Sequence, residues 1–374
     1  RNGSPPQHDA ADSESQRLAA TGIRPVPYRS VRGRRRGAEP IYGDTYLPRK
    51  FKIAVAWPGD NCVDVLANDV GLVPTLSNGD RGDVTGYSVF VGGGLGMSHA
   101  REDDTYPRLA VPLGSVPPER VVDVVEAVVT IQRDHGDRED RQRARLKYTL
   151  ETLGLDAMRA EVSRRVGFEL SPPVELLPWV ADEHHGRHGG VIGLPVPSGK
   201  VVDRDGVFLR RALRELTRSG LVTELCVTPR DDLLLHGIPD GRVGEVEEHL
   251  RASGVALAGD LTAVRRLAIA CPALPTCGQA LGEAERVLPD VVSQLEKVLA
   301  DTGNGDAAIR VNMTGCPNGC ARPYTAEIGI VGRSKKTYDV YVGGSASGDR
   351  LAARLRADVP LDEIPALLAP GLAR

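Results

Sequence analysis

Cys271-Pro-Ala-Leu-Pro-Thr-Cys277 and Cys316-Pro-Asn-Gly-Cys320 decide the reading of this chain. Four of its six cysteines stand here, in two short segments bent by proline and glycine. Four soft sulfur ligands on tight loops are what a cubane [4Fe–4S] cluster requires, one thiolate for each iron. Zinc competes for the same set, although its paired cysteines usually close over about two to four intervening residues. Cys271 and Cys277 are separated by a looser, proline-bearing gap. Disulfides or unligated thiols stay open on spacing alone, but a chain of 374 residues with few cysteines has little need of staples. Iron–sulfur ligation is the leading reading.

The next cue is the run Arg49-Lys50-Phe51-Lys52. In a strand, alternate side chains share a face, so Lys50 and Lys52 would point together with Phe51 opposite. Paired ammonium groups lower each other's pKa, which suits proton donation to an anion. A solvated strand start is the plain alternative.

The flanks of these motifs carry a resemblance. ACPALPTCGQALGEAER at 270–286 and NMTGCPNGCARPYTAEIGIVG at 312–332 resemble the cluster-binding signature of the sirohaem-containing sulfite and nitrite reductases. TYLPRKFKIAV at 45–55 resembles the same family's substrate-lysine segment, and 89–151 is similar to its central region. The resemblance runs from about Tyr42 to about Gly348. It implies that Cys271, Cys277, Cys316 and Cys320 hold a [4Fe–4S] cluster, with Cys320 shared with the sirohaem iron. It makes Lys50 and Lys52 the substrate-binding, proton-giving pair. Asn318 lies in the loop whose amides can bond cluster sulfurs, and Arg49 and Arg322 are candidates to pair with sirohaem carboxylates. The implied reaction is the six-electron reduction of sulfite to sulfide, with ferredoxin or a flavoprotein reductase as donor. Nitrite reductases of the family tend to carry asparagine at the second lysine, so Lys52 favours sulfite. The rival readings are a nitrite reductase and a non-catalytic cluster protein without sirohaem.

Composition narrows the classes. A formal net charge of −3 argues against a nucleic-acid binder, and 4% aromatic residues offer no stacking platform. No run approaches the roughly 18 apolar residues of a membrane span, and no signal peptide is legible. Thiols without an export signal suggest a reducing, cytoplasmic setting.

Along the chain the expected fold is α+β. Residues 1–40 are small, polar and arginine-rich and read as a disordered or non-native tail. Residues 41–165 alternate strand and helix signals. Residues 166–255 read β-α-β-β-α, a ferredoxin-like half-module, and 256–374 hold the cysteines among further strands and helices. Phe90-Val-Gly-Gly-Gly-Leu-Gly and Tyr341-Val-Gly-Gly-Ser-Ala-Ser-Gly each end a strand shortly before a helix opening on Val-Pro. This echo suggests two related α/β lobes facing across a cleft, as the resemblance also implies for sirohaem. Cys62 and Cys226, lacking partner spacing, read as buried small hydrophobes. His184, His185 and His188 read as loop residues.

The resemblance fails in places. The family's Asn-Gln-Asn is Arg230-Asp231-Asp232 here, and a carboxylate at the middle position would meet an anionic cofactor unfavourably. Family members are longer, so the half-module is expected to show an uncovered sheet edge.

Overall fold

Val70, Leu72, Val89, Val91, Leu113 and Val116 are the inward residues of the first sheet. In the computed structural model, which describes residues 41–42, 44–78, 81–174 and 184–373, this sheet comprises β1 (Ile53–Val55), β2 (Val70–Asn78), β3 (Arg81–Val91) and β4 (Val111–Val116). The expected tail at 1–40 lies outside the described residues. The strands lie in chain order, with β1–β2 parallel and the other two pairs antiparallel. Three helices cover the sheet: α1 (Val121–His135), α2 (Leu146–Leu153) and α3 (Leu155–Val166). Val124, Val128 and Ile131, one stripe of α1, join Leu146, Leu150, Met158 and Val162 in the core.

The second sheet is antiparallel, in the order β5-β6-β10-β9. Its strands are β5 (Gly186–His188), β6 (Val191–Leu194), β9 (Glu224–Val227) and β10 (Leu233–His236), with a small hairpin of β7 (Asp203–Arg204) and β8 (Val207–Phe208) between. Helices α4 (Leu209–Arg218) and α5 (Val243–Ala252) bury Leu209, Ala212, Leu213, Leu216, Val246 and Leu250 against it.

The third sheet runs β11 (Ile269–Ala270), β12 (Val311–Thr314), β13 (Ile328–Gly332), β14 (Thr337–Val342) and β15 (Ala353–Pro360), in that order. Helices α6 (Ala263–Leu267), α7 (Leu288–Asp301) and α8 (Ile364–Leu372) accompany it. Strand pairs β12–β13, β13–β14 and β14–β15 are parallel, antiparallel and antiparallel, the same succession as in the first sheet. Each set then enters a single turn of 3-10 helix followed by an α-helix, α1 or α8. The glycine-rich echo is therefore a repeated topology: two α/β lobes, with the antiparallel unit between them in sequence.

Several local expectations change. β1 begins at Ile53, so Lys50 and Lys52 precede the strand, although the Val70 amide still donates to the Lys52 carbonyl at 3.1 Å. The helix signal of 282–301 is realised only from Leu288, where α7 starts and Pro289 presets the first helical turn. Cys226 is exposed, because β9 is an edge strand with all four residues at the surface, and Cys62 is only half-buried. β15 carries Arg354 and Arg356 and no clean apolar alternation, which hid it from the sequence reading.

Candidate cofactor and anion site

The two cysteine segments meet because their backbones are laced together at Gly315. The Leu281 and Gly282 amides donate to the Gly315 carbonyl at 2.7 and 2.9 Å. A side chain at 315 would stand 2.6 Å from Cβ of Ala273 and 2.7 Å from the Gly282 carbonyl oxygen, so the approach requires glycine. Cys271 follows β11 and Cys316 follows β12, adjacent parallel strands. The Cys271 sulfur accepts from the Gly315 amide at 3.3 Å and from the Thr314 hydroxyl at 3.4 Å. Burial pushes the Cys316 thiol up; the Asn318 amide opposes this, and the neighbouring Cys320 and Cys271 sulfurs add to it. Cys277 sits on the turn held by its amide bond to the Ala273 carbonyl at 2.7 Å.

No three of these four sulfurs come within 4.8 Å of one another among the described residues. A single zinc ion would hold its sulfurs about 3.8 Å apart. The Gly315 amide already aimed at the Cys271 sulfur is the kind of hydrogen bond that a cluster thiolate accepts.

Cys316 to Cys320 form one wall of a cavity of about 540 Å³. Arg49, Lys50, Lys52 and Arg145 from the first lobe face that wall, with Val63, Leu95, Met97 and Leu281 as apolar lining. Burial lowers the Lys52 ammonium pKa, Lys50 and Arg145 lower it further, and the nearby Cys320 and Asp69 oppose. Arg49 is lowered by burial and by Arg141 and Arg145. A cationic, partly apolar cavity suits a flat macrocycle with peripheral carboxylates and a small anionic substrate. Arg322 also lines the cavity, but its guanidinium is engaged: Nη1 donates to the Cys62 carbonyl at 2.7 Å and pairs with Asp64 at 2.9 Å, and Nη2 donates to the Pro229 carbonyl at 2.9 Å.

Asp231 lines a different cavity, of about 280 Å³, beside Arg230, Pro197 and Val255. The residues around the cysteine-walled cavity do not include it. Asp231 stands behind Arg322, whose charge opposes the upward push of burial on its carboxyl pKa.

Three residues of the site were not foreseen. Asp69, fully buried, takes a bidentate bond from Arg145 at 3.0 and 2.7 Å and the Lys52 amide at 2.8 Å. Lys147 reaches the carbonyls of Gly94 at 3.0 Å, Gly96 at 2.8 Å and Tyr106. The loop it holds touches the cysteine segment directly, the Met97 amide donating to the Pro317 carbonyl at 3.0 Å. The only sequence cue was the cluster of basic residues leading into α2.

The nitrite and sulphite reductase 4Fe-4S domain model matches residues 29–170, a stretch that ends before all four cysteines. Over a wider span, the sulfite reductase [NADPH] hemoprotein beta-component of Methylorubrum extorquens strain AM1 is 45% identical across 345 residues, 90% of this chain and 55% of the relative. Over these spans the chain is similar to the nitrite and sulphite reductase family. The same-named protein of Paenibacillus strain JDR-2 is 42% identical, over 90% of this chain and 59% of its own length. Among solved structures, the Mycobacterium tuberculosis NirA protein superposes with a TM-score of 0.71 at 27% identity, covering 86% of this chain and 59% of that one. The chain spans a little over half the length of these curated family members. No described helix is long and apolar enough to cross a membrane.

Proposed function

We propose that this chain carries the sulfite-reducing centre of a sulfite reductase haemoprotein, with Cys271, Cys277, Cys316 and Cys320 as ligands of a [4Fe–4S] cluster. One observation carries the reading: Lys50 and Lys52 share a single cavity with the Cys316–Cys320 wall. When bound, sirohaem and the cluster supply the electrons and the iron that takes the substrate sulfur. The chain's own residues do the rest. Lys50 and Lys52 neutralise the anion and deliver protons as S–O bonds break. Hydrogen sulfite takes up six electrons and six protons to give hydrosulfide and three waters, so proton supply is as necessary as charge. The lowered Lys52 pKa makes it a readier acid than an ordinary lysine. Arg49 would pair with the macrocycle carboxylates, and Asn318 and Gly315 would present amides to the cluster.

The relatives' name supports an NADPH-linked flavoprotein component as electron donor, in place of ferredoxin. We divide the chain functionally at 41–165, 166–255 and 256–374, supported by the one main sheet that each contains.

The test is anaerobic: an absorption spectrum of the purified, cofactor-loaded chain, iron and labile sulfide on the same sample, then sulfide release from sulfite with a chemical reductant. Haem bands, cluster iron and turnover are expected. Cluster iron without haem would replace this reading with the non-catalytic one. Lys52→Asn is expected to lower sulfite turnover about 10- to 100-fold, the worth of one charge-assisted contact, and to raise nitrite relative to sulfite. Unchanged selectivity would remove Lys52 from its assigned role.

A further inference from the structure

Outside the cysteine-walled cavity, three different metal-binding side chains converge: Asp60, Cys62 and His184, whose ligand atoms all lie within 4.8 Å of one another. They come from two distant segments, the loop between β1 and β2 and the entry to β5. Each is presented by a fixed piece of backbone. The Asp60 amide donates to the Trp57 carbonyl at 2.9 Å, and the Cys62 amide caps Oδ1 of Asp60 at 2.9 Å. That leaves Oδ2 of Asp60 facing Nε2 of His184 at 3.1 Å. His184 has a left-handed backbone (φ 51°), and its carbonyl lies where any side chain at Gly193 would go.

The fold supplies a second argument. The loop 56–69 joins parallel strands β1 and β2 as 315–327, with Cys316 and Cys320, joins parallel strands β12 and β13. In the repeated topology, Cys62 thus stands on the first-lobe counterpart of the cluster loop. The two loops touch, through Arg322 Nη1 on the Cys62 carbonyl at 2.7 Å.

We propose that Asp60, Cys62 and His184 bind one divalent transition-metal ion, zinc by preference, which locks the loop 56–69 behind the cofactor cavity. One thiolate, one imidazole and one carboxylate form a borderline-soft set with an open fourth position, the pattern of zinc sites that keep a water. Tetrahedral zinc would hold these donor atoms about 3.4–3.6 Å apart. The His184–Asp60 spacing is already close to this, and rotation of the Cys62 side chain completes the set. A second grouping, His99, Glu102 and Asp339, lacks this character. Arg333 bonds both of its carboxylates, at 3.0 and 2.9 Å, and Arg354 bonds Glu102 at 2.6 Å, so its charge is already met. Ion binding would act on the cavity through Val63, which lines it, and through Arg322. The proposal does not depend on the sulfite-reducing reading.

The test counts metals on the iron-loaded chain after dialysis against micromolar zinc, for wild type, Cys62→Ser, His184→Ala and Asp60→Asn. Wild type should hold about one equivalent of zinc more than any of the three substituted chains, with the same iron in all four. Asp60→Asn, which keeps the local hydrogen bonds, guards against mere misfolding and should weaken zinc at least about tenfold. Zinc-edge X-ray absorption should then show one sulfur among nitrogen and oxygen neighbours. Equal zinc in all four chains, or a four-sulfur shell, would place the ion on the cluster cysteines and overturn the proposal.

Discussion

Lys147 is 1% exposed, yet it carries an ammonium group to three backbone carbonyls. Three acceptors use all three of its N–H bonds, and its Nζ also stands 4.9 Å from the Tyr148 ring centre. Burial, then Arg145, lower its pKa to about 7; Asp69 opposes, and Arg108 and Arg143 lower it further. The unfolded lysine titrates near ~10.4, so between about pH 7 and pH 10 the unfolded chain holds a proton that the folded chain has released. Stability from this group therefore rises with pH across that window and is lost as pH falls toward 7. The effect is on the order of 2–4 kcal/mol. Melting temperatures of wild type and Lys147→Met, compared from pH 7 to 10, should diverge in favour of wild type as pH rises. A constant difference would show that Lys147 does not titrate there. This residue, like Asp69 and Arg145, was illegible in the sequence because its role depends on carbonyls about 40 to 50 residues away. The cysteines and the lysine pair were legible because each motif keeps its chemistry within a few adjacent residues.

At the scale of elements, the cysteine segments are positioned by strand ends and by close backbone packing more than by side chains. Gly315 touches Gly282, and a side chain on Gly332 would come within 2.5 Å of the Gly315 carbonyl oxygen, so three glycines stack β12, β13 and the Cys277 turn together. Gly315→Ala should push the two cysteine segments apart. We expect a cost of about 1–3 kcal/mol and loss of more than half of the cluster iron. Gly305→Ala, where the nearest atom to the new methyl is 4.0 Å away, is the control and should change neither. Normal iron in Gly315→Ala would mean that the segments yield without losing the ligand geometry. The helices and most strands could be read from periodicity, since α1 and α4 keep one apolar stripe and end near glycines. β15 and the true start of β1 could not, because both are edge strands whose outer face meets water and whose residues follow no clean alternation.

Across the whole molecule, those edges are the unfinished part of the architecture. β9 ends its sheet with Leu225 and with Val227, which is 77% exposed, and β1 ends the first sheet with Ile53 and Val55 at the surface. β15 also ends a sheet but carries Arg354 and Arg356, the usual protection of an edge. Apolar edge strands with unpaired N–H and C=O groups are templates for further strands, from another copy or from additional polypeptide. The isolated chain should therefore show a mass that grows with concentration in sedimentation experiments. Val227→Lys with Val55→Lys should return it toward the monomer. Because both side chains point to solvent, unfolding free energy should stay within about 0.5 kcal/mol of the parent. Mass growth unaffected by the double substitution would move the association surface away from β1 and β9. If only Val227→Lys suppresses it, the antiparallel sheet holds the exposed template, and the parallel pairing of β1 with β2 leaves an edge that its three-residue length already makes too short to recruit a strand.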